Sequence, residues 1–352
     1  MLKTPLVSLL VPVLRVDQFL HECFSSISKS IFQEFELVVV APIAERASIV
    51  DIATETGVID RLVFIEDSGP NLAAALAKSI RCCKGTYIAR LDADDVMSPE
   101  RLGDQVDYLQ THPKTVLVAS QIRYICEHSV VTGISKYPRK IRGGSKRFGL
   151  LDSPVAHPSV MFRSAATSAA GTYDPNFYLA EDLELWNRFI KLGNFVNLDQ
   201  PLISYRQHPG QLSNTALDRI SKYALLAFAV NESKSKALRP LEFSKVEPLD
   251  YEQVLEGWPE LSRDFALIAK HSSRKYVKSI QARLLLQRIL SRGSRNQPRI
   301  TLAFMVHVPL KLALPVLAIF VKYAVFEIVG FKRLWARKKF ERCFSCSGGG
   351  VS

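Results

Sequence analysis

The chain has 352 residues, 47% of them hydrophobic and 23% charged, with no low-complexity tract and no repeat of fixed period. That is the composition of a folded protein able to bury one large core, alone or with an appendage, and six cysteines in such a length are not a disulfide framework. A formal net charge of +12 points to anionic partners: nucleic acid, phosphorylated small molecules or anionic lipid.

The first apolar run, Pro5 to Leu14, resembles the core of a signal peptide, but no cleavage site follows and Arg15 and Asp17 come at once. It reads as a buried strand. Strands are predicted at Leu6–Val13, Glu36–Ala41, Arg61–Ile65, Thr86–Leu91 and Val116–Ser120, alternating with amphipathic helices near 17–30, 45–56, 71–84 and 99–111. Strands separated by single helices predict an α/β fold with a parallel sheet covered on both faces. Ligands bind such sheets at the carboxyl ends of the strands, here the segments after Val13, Val40 and Leu91. Cys23 and Cys126 fall in apolar runs as core thiols, and Cys82 and Cys83 are adjacent on a predicted helix. Cys343 and Cys346 form a C-x-x-C without a second pair, which argues against zinc; a reducing compartment fits.

From about 121 to 210 the pattern becomes irregular: a hairpin, a loop carrying Lys136, Arg139, Lys140, Arg142, Lys146 and Arg147, a His-Pro-Ser segment, and a helix from about 181 to 191. The basic loop reads as a solvated one. Residues 213–296 are mostly helical in pattern and polar, and residues 300–331 are apolar before a basic tail. The expected organisation is therefore a domain over 1–212, a helical extension over 213–296 and an apolar, basic segment over 297–352.

Chemistry concentrates in two places. Arg90-Leu91-Asp92-Ala93-Asp94-Asp95 stands where a predicted strand ends. Carboxylates so close repel one another unless a cation or fixed donors sit beside them, and hard divalent ions such as Mg²⁺ and Mn²⁺ favour carboxylate oxygens completed by phosphate and water. An Asp-x-Asp at a strand end can hold a metal against a diphosphate. The alternative is an acidic turn that caps the next helix, with Ser98 at its N-cap, Pro99 at the first helical position and Glu100 behind. Glu181-Asp182 opens the helix containing Trp186. Asp182 suits a general base for an acceptor hydroxyl, although acidic residues in a first turn also suit the helix dipole.

Taken together and in order, these segments resemble the family 2 glycosyltransferases, inverting enzymes of the GT-A fold. Ser8-Leu9-Leu10-Val11-Pro12-Val13, with Phe19-Leu20-His21-Glu22-Cys23-Phe24, looks like the family's first strand and helix. Phe35-Glu36-Leu37-Val38-Val39-Val40 is similar to its second strand. Asn71-Leu72-Ala73-Ala74-Ala75-Leu76, then Lys84-Gly85-Thr86 through Asp95, resembles its Asp-x-Asp region. Ser98-Pro99-Glu100-Arg101-Leu102, His112-Pro113, His157-Pro158-Ser159, Ala180-Glu181-Asp182 and Tyr205-Arg206-Gln207-His208 extend the likeness over about 5–213. The resemblance implies a Rossmann-like, mostly parallel central sheet with flanking helices, a divalent metal (Mn²⁺ or Mg²⁺) and a nucleotide-sugar donor, a UDP-sugar foremost. Asp94 would bind the metal with Asp92 nearby, Asp92 and Asp95 would lie by the ribose or its waters, and Asp182 would be the base. His208 would face the diphosphate or metal, and Pro12 and Val13 would edge the nucleobase pocket. The implied reaction is inverting transfer to a hydroxyl of a glycan or lipid-linked acceptor in cell-surface polysaccharide or lipopolysaccharide synthesis.

Two departures stand out. The family's second strand usually ends in an aspartate pair that reads the nucleobase, whereas this one ends in Ala41-Pro42-Ile43-Ala44, and Leu14-Arg15 replaces the usual Tyr-Asn after the first proline. A non-catalytic membrane adaptor is the rival those departures support. A sugar-phosphate nucleotidyltransferase would carry a Gly-rich basic loop where Leu14-Arg15-Val16-Asp17 stands. Nucleic acid is not expected, because the basic residues form no recognisable binding module.

Residues 300–343 carry eight basic side chains (Lys311, Lys322, Lys332, Arg333, Arg337, Lys338, Lys339 and Arg342) against Glu327 and Glu341, so eight minus two supplies half of the net charge of +12. Ile300 to Val321 is long enough to span a bilayer. Lys311 at its middle costs about 2.5–3.5 kcal/mol there, and Pro309 and Pro315 would kink a helix. His307, Lys311 and Lys322 share one helical face, and Trp335 suits an interfacial anchor. The pattern predicts a helix lying on anionic lipid, with a buried helix pair or a true span as alternatives. The expected location is cytoplasmic, peripheral to the inner face of the cell membrane.

Overall fold

The computed structural model describes residues 4–69, 71–143, 153–177, 179–208 and 211. The extension expected over 213–296 and the segment over 297–352 lie outside the described residues, as do Lys146 and Arg147. In chain order the strands are β1 (Val7–Pro12), β2 (Phe35–Ala41), β3 (Leu62–Glu66), β4 (Tyr87–Arg90), β5 (Val96–Met97), β6 (Thr115–Cys126), β7 (Val131–Ile134), β8 (Lys140–Ile141), β9 (Met161–Arg163) and β10 (Asn194–Gln207). The α-helices are α1 (Leu20–Ser28), α2 (Arg46–Glu55), α3 (Leu72–Ile80), α4 (Arg101–Thr111), α5 (Ser164–Ala170) and α6 (Glu181–Phe189).

All belong to one sheet ordered β3-β2-β1-β4-β9-β6-β10-β5, with β7 beside β6 and β8 beside β10. The runs Val-Ser-Leu-Leu-Val-Pro and Phe-Glu-Leu-Val-Val-Val-Ala are apolar on both faces, as central parallel strands must be. Their alternation feeds two cores. Leu9 and Leu37 pack with Phe24 and Leu102 on one side, and Leu10 and Val38 pack with Trp186 and Phe195 on the other. The block β3-β2-β1-β4 is wholly parallel, so the ends of four strands share one edge. β9 enters antiparallel between β4 and β6, and β6 then runs parallel to β10 along most of both strands.

The sequence-level boundaries shift in three places. β6 continues past Ser120 to Cys126, because β10 and the β7 hairpin satisfy its polar second half. α3 ends at Ile80, which places Cys82 and Cys83 after the helix. α4 begins at Arg101 and not at Pro99, and Ser98 does not cap it. Its hydroxyl donates to the Glu100 carboxylate, and its N–H donates to Leu202 O across the β5–β10 pairing. In contrast Asn71 caps α3 as its residue type predicts, its Oδ1 accepting from Ala74 N at 2.9 Å. Among the described residues no helix is long and apolar enough to cross a membrane.

Candidate active site

The turn Asp92–Asp95 leaves the carboxyl end of β4, and several groups fix its path. Arg101, fully buried at the start of α4, donates to Arg90 O at 2.6 Å and to Val160 O at 3.3 Å, tying β4 to the segment leading into β9. Desolvation lowers its guanidinium to about 9. The Asp95 N–H closes the turn on Asp92 O at 3.1 Å, and the Cys23 thiol of α1 donates to the same carbonyl. Asp92, Asp94 and Asp95 bring one oxygen each within 4.8 Å of one another.

Their environments differ. Asp92 Oδ1 pairs with Arg90 Nη2 at 2.6 Å, yet burial still raises its carboxyl above the ordinary range. Asp94 is partly exposed and meets His208 Nε2 at 3.1 Å. Asp95 is fully buried, its Oδ1 accepting the Arg206 N–H at 2.9 Å while Oδ2 has no partner, and burial drives its carboxyl well up. A hard cation fits this donor set. It would supply charge to three crowded carboxylates, and the unpartnered buried oxygen of Asp95 is the kind of atom such charge relieves.

α6 supplies the second part. Trp186, fully buried, sits in an aromatic cluster with Phe162, Phe189 and Phe195 that seats the helix against the sheet. The helix opens after Leu179, whose φ of 72° is strained for a leucine. Asp182 is half-buried, its Oδ1 accepting from Leu183 N at 2.7 Å, and burial raises its carboxyl. Glu181 is buried, and desolvation followed by repulsion from Asp182 pushes it to about 7. Arg90 joins the two parts: bonded to Asp92, it also stabilises the charged forms of Glu181 and Asp182. Beside it His157, bonded to the Tyr173 hydroxyl at 2.7 Å, is held neutral by burial and by the Arg90 charge.

The strand ends beyond β4 carry the other expected residues. Pro12 is half-buried opposite Val40, whereas the Val13 side chain lies in the core and its N–H donates to Val40 O at 2.9 Å. At the end of β2, Ala41 offers no side-chain partner. The acid beside it is Asp67, which follows β3, donates its N–H to Ala41 O and pairs with Lys78 at 3.4 Å. The structure thus gathers Asp92, Asp94, Asp95 and His208, with Arg90 linking them to Asp182. Two residues given no role from sequence, Arg90 and Arg206, turn out to brace the site. The signal for Arg90 was a charge ending the apolar strand Tyr87–Arg90, whereas Arg206, between Tyr205 and Gln207, carried none. The described basic-loop residues Lys136, Arg139, Lys140 and Arg142 are exposed, as a solvated loop requires.

Residues 8–168 match the family described as Glycosyl transferase family 2. The chain is 29% identical over 191 residues to the amylovoran biosynthesis glycosyltransferase AmsE of Erwinia amylovora, covering 53% of this chain and 70% of that protein. It is 26% identical over 238 residues to the O-antigen biosynthesis glycosyltransferase WbnJ of Escherichia coli, covering 66% and 90%. In fold it is similar to S. aureus TarS 1-349 in complex with UDP-GlcNAc, with a TM-score of 0.53 at 16% identity over 88% of this chain and 78% of that one.

Proposed function

The chain belongs to glycosyl transferase family 2 and has its GT-A fold, and from that premise we propose that it moves a sugar, with inversion, from a nucleotide-sugar to a hydroxyl of a glycan or lipid-linked acceptor. The observation that carries the reading is the pair of carboxylate sites joined by Arg90: Asp92, Asp94 and Asp95 after β4, and Asp182 at the start of α6. Relatives named for amylovoran and O-antigen biosynthesis support an acceptor in cell-surface polysaccharide synthesis. A fold neighbour with bound UDP-GlcNAc supports a UDP-sugar donor.

A divalent ion, Mn²⁺ or Mg²⁺, held by Asp94 and Asp92 with His208 alongside, would neutralise charge on the departing diphosphate. Asp182 takes the proton of the acceptor hydroxyl as its oxygen bonds to the anomeric carbon and the bond from that carbon to the diphosphate breaks. Arg90 favours the ionised form of Asp182 against the burial that raises its carboxyl, and it pairs with Asp92. Asp95 anchors the turn through Arg206, and Pro12 with the main chain of Val13 would border the nucleobase end. The basic, apolar residues 300–343 are assigned to anionic lipid at the cytoplasmic face, where a lipid-linked acceptor would be met. The test is transfer from a UDP-sugar followed by proton NMR of the product: inversion of the anomeric centre, lost in Asp182→Asn, is expected. Retention of configuration, or normal transfer by Asp182→Asn, would refute the mechanism.

A further inference from the structure

Arg206 of β10 is fully buried, and its guanidinium gathers three separate segments around it. Nε donates to Asp94 O at 2.8 Å. Nη1 donates to Cys126 O and Glu127 O, both at 3.2 Å, and to Ser129 Oγ at 3.0 Å. Nη2 meets Glu22 Oε2 of α1 at 2.6 Å, and one face lies 4.6 Å from the Phe19 ring centroid. Ser129, held at a φ of 61°, closes the ring by donating to Glu22 Oε1 at 2.9 Å. The Arg206 main chain adds to the grip through its N–H on Asp95 Oδ1. Two residues on, His208 meets the Asp94 carboxylate, and its ring lies 5.1 Å from the same Phe19, tilted by 51°.

Asp94 is therefore held at both ends, its carbonyl by Arg206 and its carboxylate by His208. We propose that Arg206 is a positioning residue for the metal-holding turn: with Glu22 and Ser129 it sets where Asp94 presents its carboxylate, and so sets metal affinity. This rests on the reading of Asp94 as a metal ligand. Only an arginine fits the place, because a lysine has the charge but not the planar fork of donors reaching these acceptors. Glu22 makes the buried charge tolerable from the surface side, its side chain being 44% exposed.

The test uses the full chain and titrates Mn²⁺, alone and with UDP, reading free ion by electron paramagnetic resonance, beside thermal melting of each variant. In Arg206→Lys, Mn²⁺ affinity should fall about ten- to a hundredfold in a protein that still melts cooperatively, as when outer partners of metal ligands are removed. Transfer by that variant should be restored at high Mn²⁺, its KM for the ion raised and its kcat at saturating metal kept. If Arg206→Lys does not fold, Glu22→Ala decides the matter, with an expected several-fold loss of Mn²⁺ affinity. A deciding variant that melts lower yet binds Mn²⁺ within about twofold of the parent would make Arg206 purely architectural and overturn the proposal. A parent that binds Mn²⁺ no better than Asp94→Ala would instead sink the reading of the site, and this proposal with it.

Discussion

As the proposed base, Asp182 would act only while ionised, and burial holds its carboxyl above the usual aspartate range. Transfer should therefore fall as pH drops through that raised value, and a pH–rate profile whose acidic limb lies below ordinary aspartates would contradict this. Replacing Asp182 by Asn should cost about 10²–10⁴-fold in kcat with the affinity for nucleotide retained, the size of effect expected for one acid–base group. Glu181 gives a stability counterpart. Its pKa is raised to about 7 from 4.5, so it holds a proton in the folded chain where the unfolded chain has lost it. Below 4.5 both states are protonated and there is no penalty; stability then falls as pH rises to about 7 and stays reduced above it. Glu181→Gln should accordingly stabilise the protein by on the order of 2 kcal/mol near pH 8 and much less near pH 5, checked by urea unfolding at both.

The strands that aim these residues are set in register by a buried polar knot. Ser8 Oγ donates to Glu36 Oε1 at 2.6 Å and accepts from Gly85 N at 2.8 Å, while Lys84 N donates to the same Glu36 oxygen at 2.7 Å. A side chain at Gly85 would put Cβ 2.4 Å from Ser8 N, so β4 can lie against β1 only with glycine there. Gly85→Ala should destabilise by about 1–3 kcal/mol in urea unfolding; a variant as stable as the parent would show that the strands separate at no cost. The sequence made the β3-β2-β1-β4 block legible because β1, β2 and β4, buried on both faces, read as nearly unbroken apolar runs, and the half-buried edge strand β3 keeps Leu62-Val63-Phe64-Ile65. It also placed Asp92–Asp95 at a strand end and Asp182 at a helix start. β10 was not legible: Asn197, Asp199, Gln200 and Pro201 interrupt its apolar residues, and register shifts between Leu198 and Ile203 absorb the break. The role of Arg206 was hidden because the partners of its side-chain hydrogen bonds lie 77 to 184 residues away. Ser98 misled because a good capping residue had its hydroxyl taken by Glu100.

At the scale of the whole molecule, half of the net charge of +12 falls in residues 300–343 of the sequence. The full chain should therefore co-sediment with vesicles rich in anionic lipid, release as salt is raised and leave neutral vesicles unbound. Equal binding to neutral vesicles, or none to anionic ones, would remove the lipid assignment without touching the catalytic one. The catalytic reading depends on a nucleotide held through metal at the end of β4. The measurement that tests it most directly is a thermal-shift titration of the full chain with UDP, GDP and dTDP, each with and without Mn²⁺, beside Asp94→Ala. The account predicts stabilisation by one nucleotide, UDP foremost, only with Mn²⁺ and lost in Asp94→Ala. A folded parent that no nucleotide stabilises in the presence of metal would contradict it, and Ala41-Pro42 at the end of β2 would then mark a site that has lost its donor.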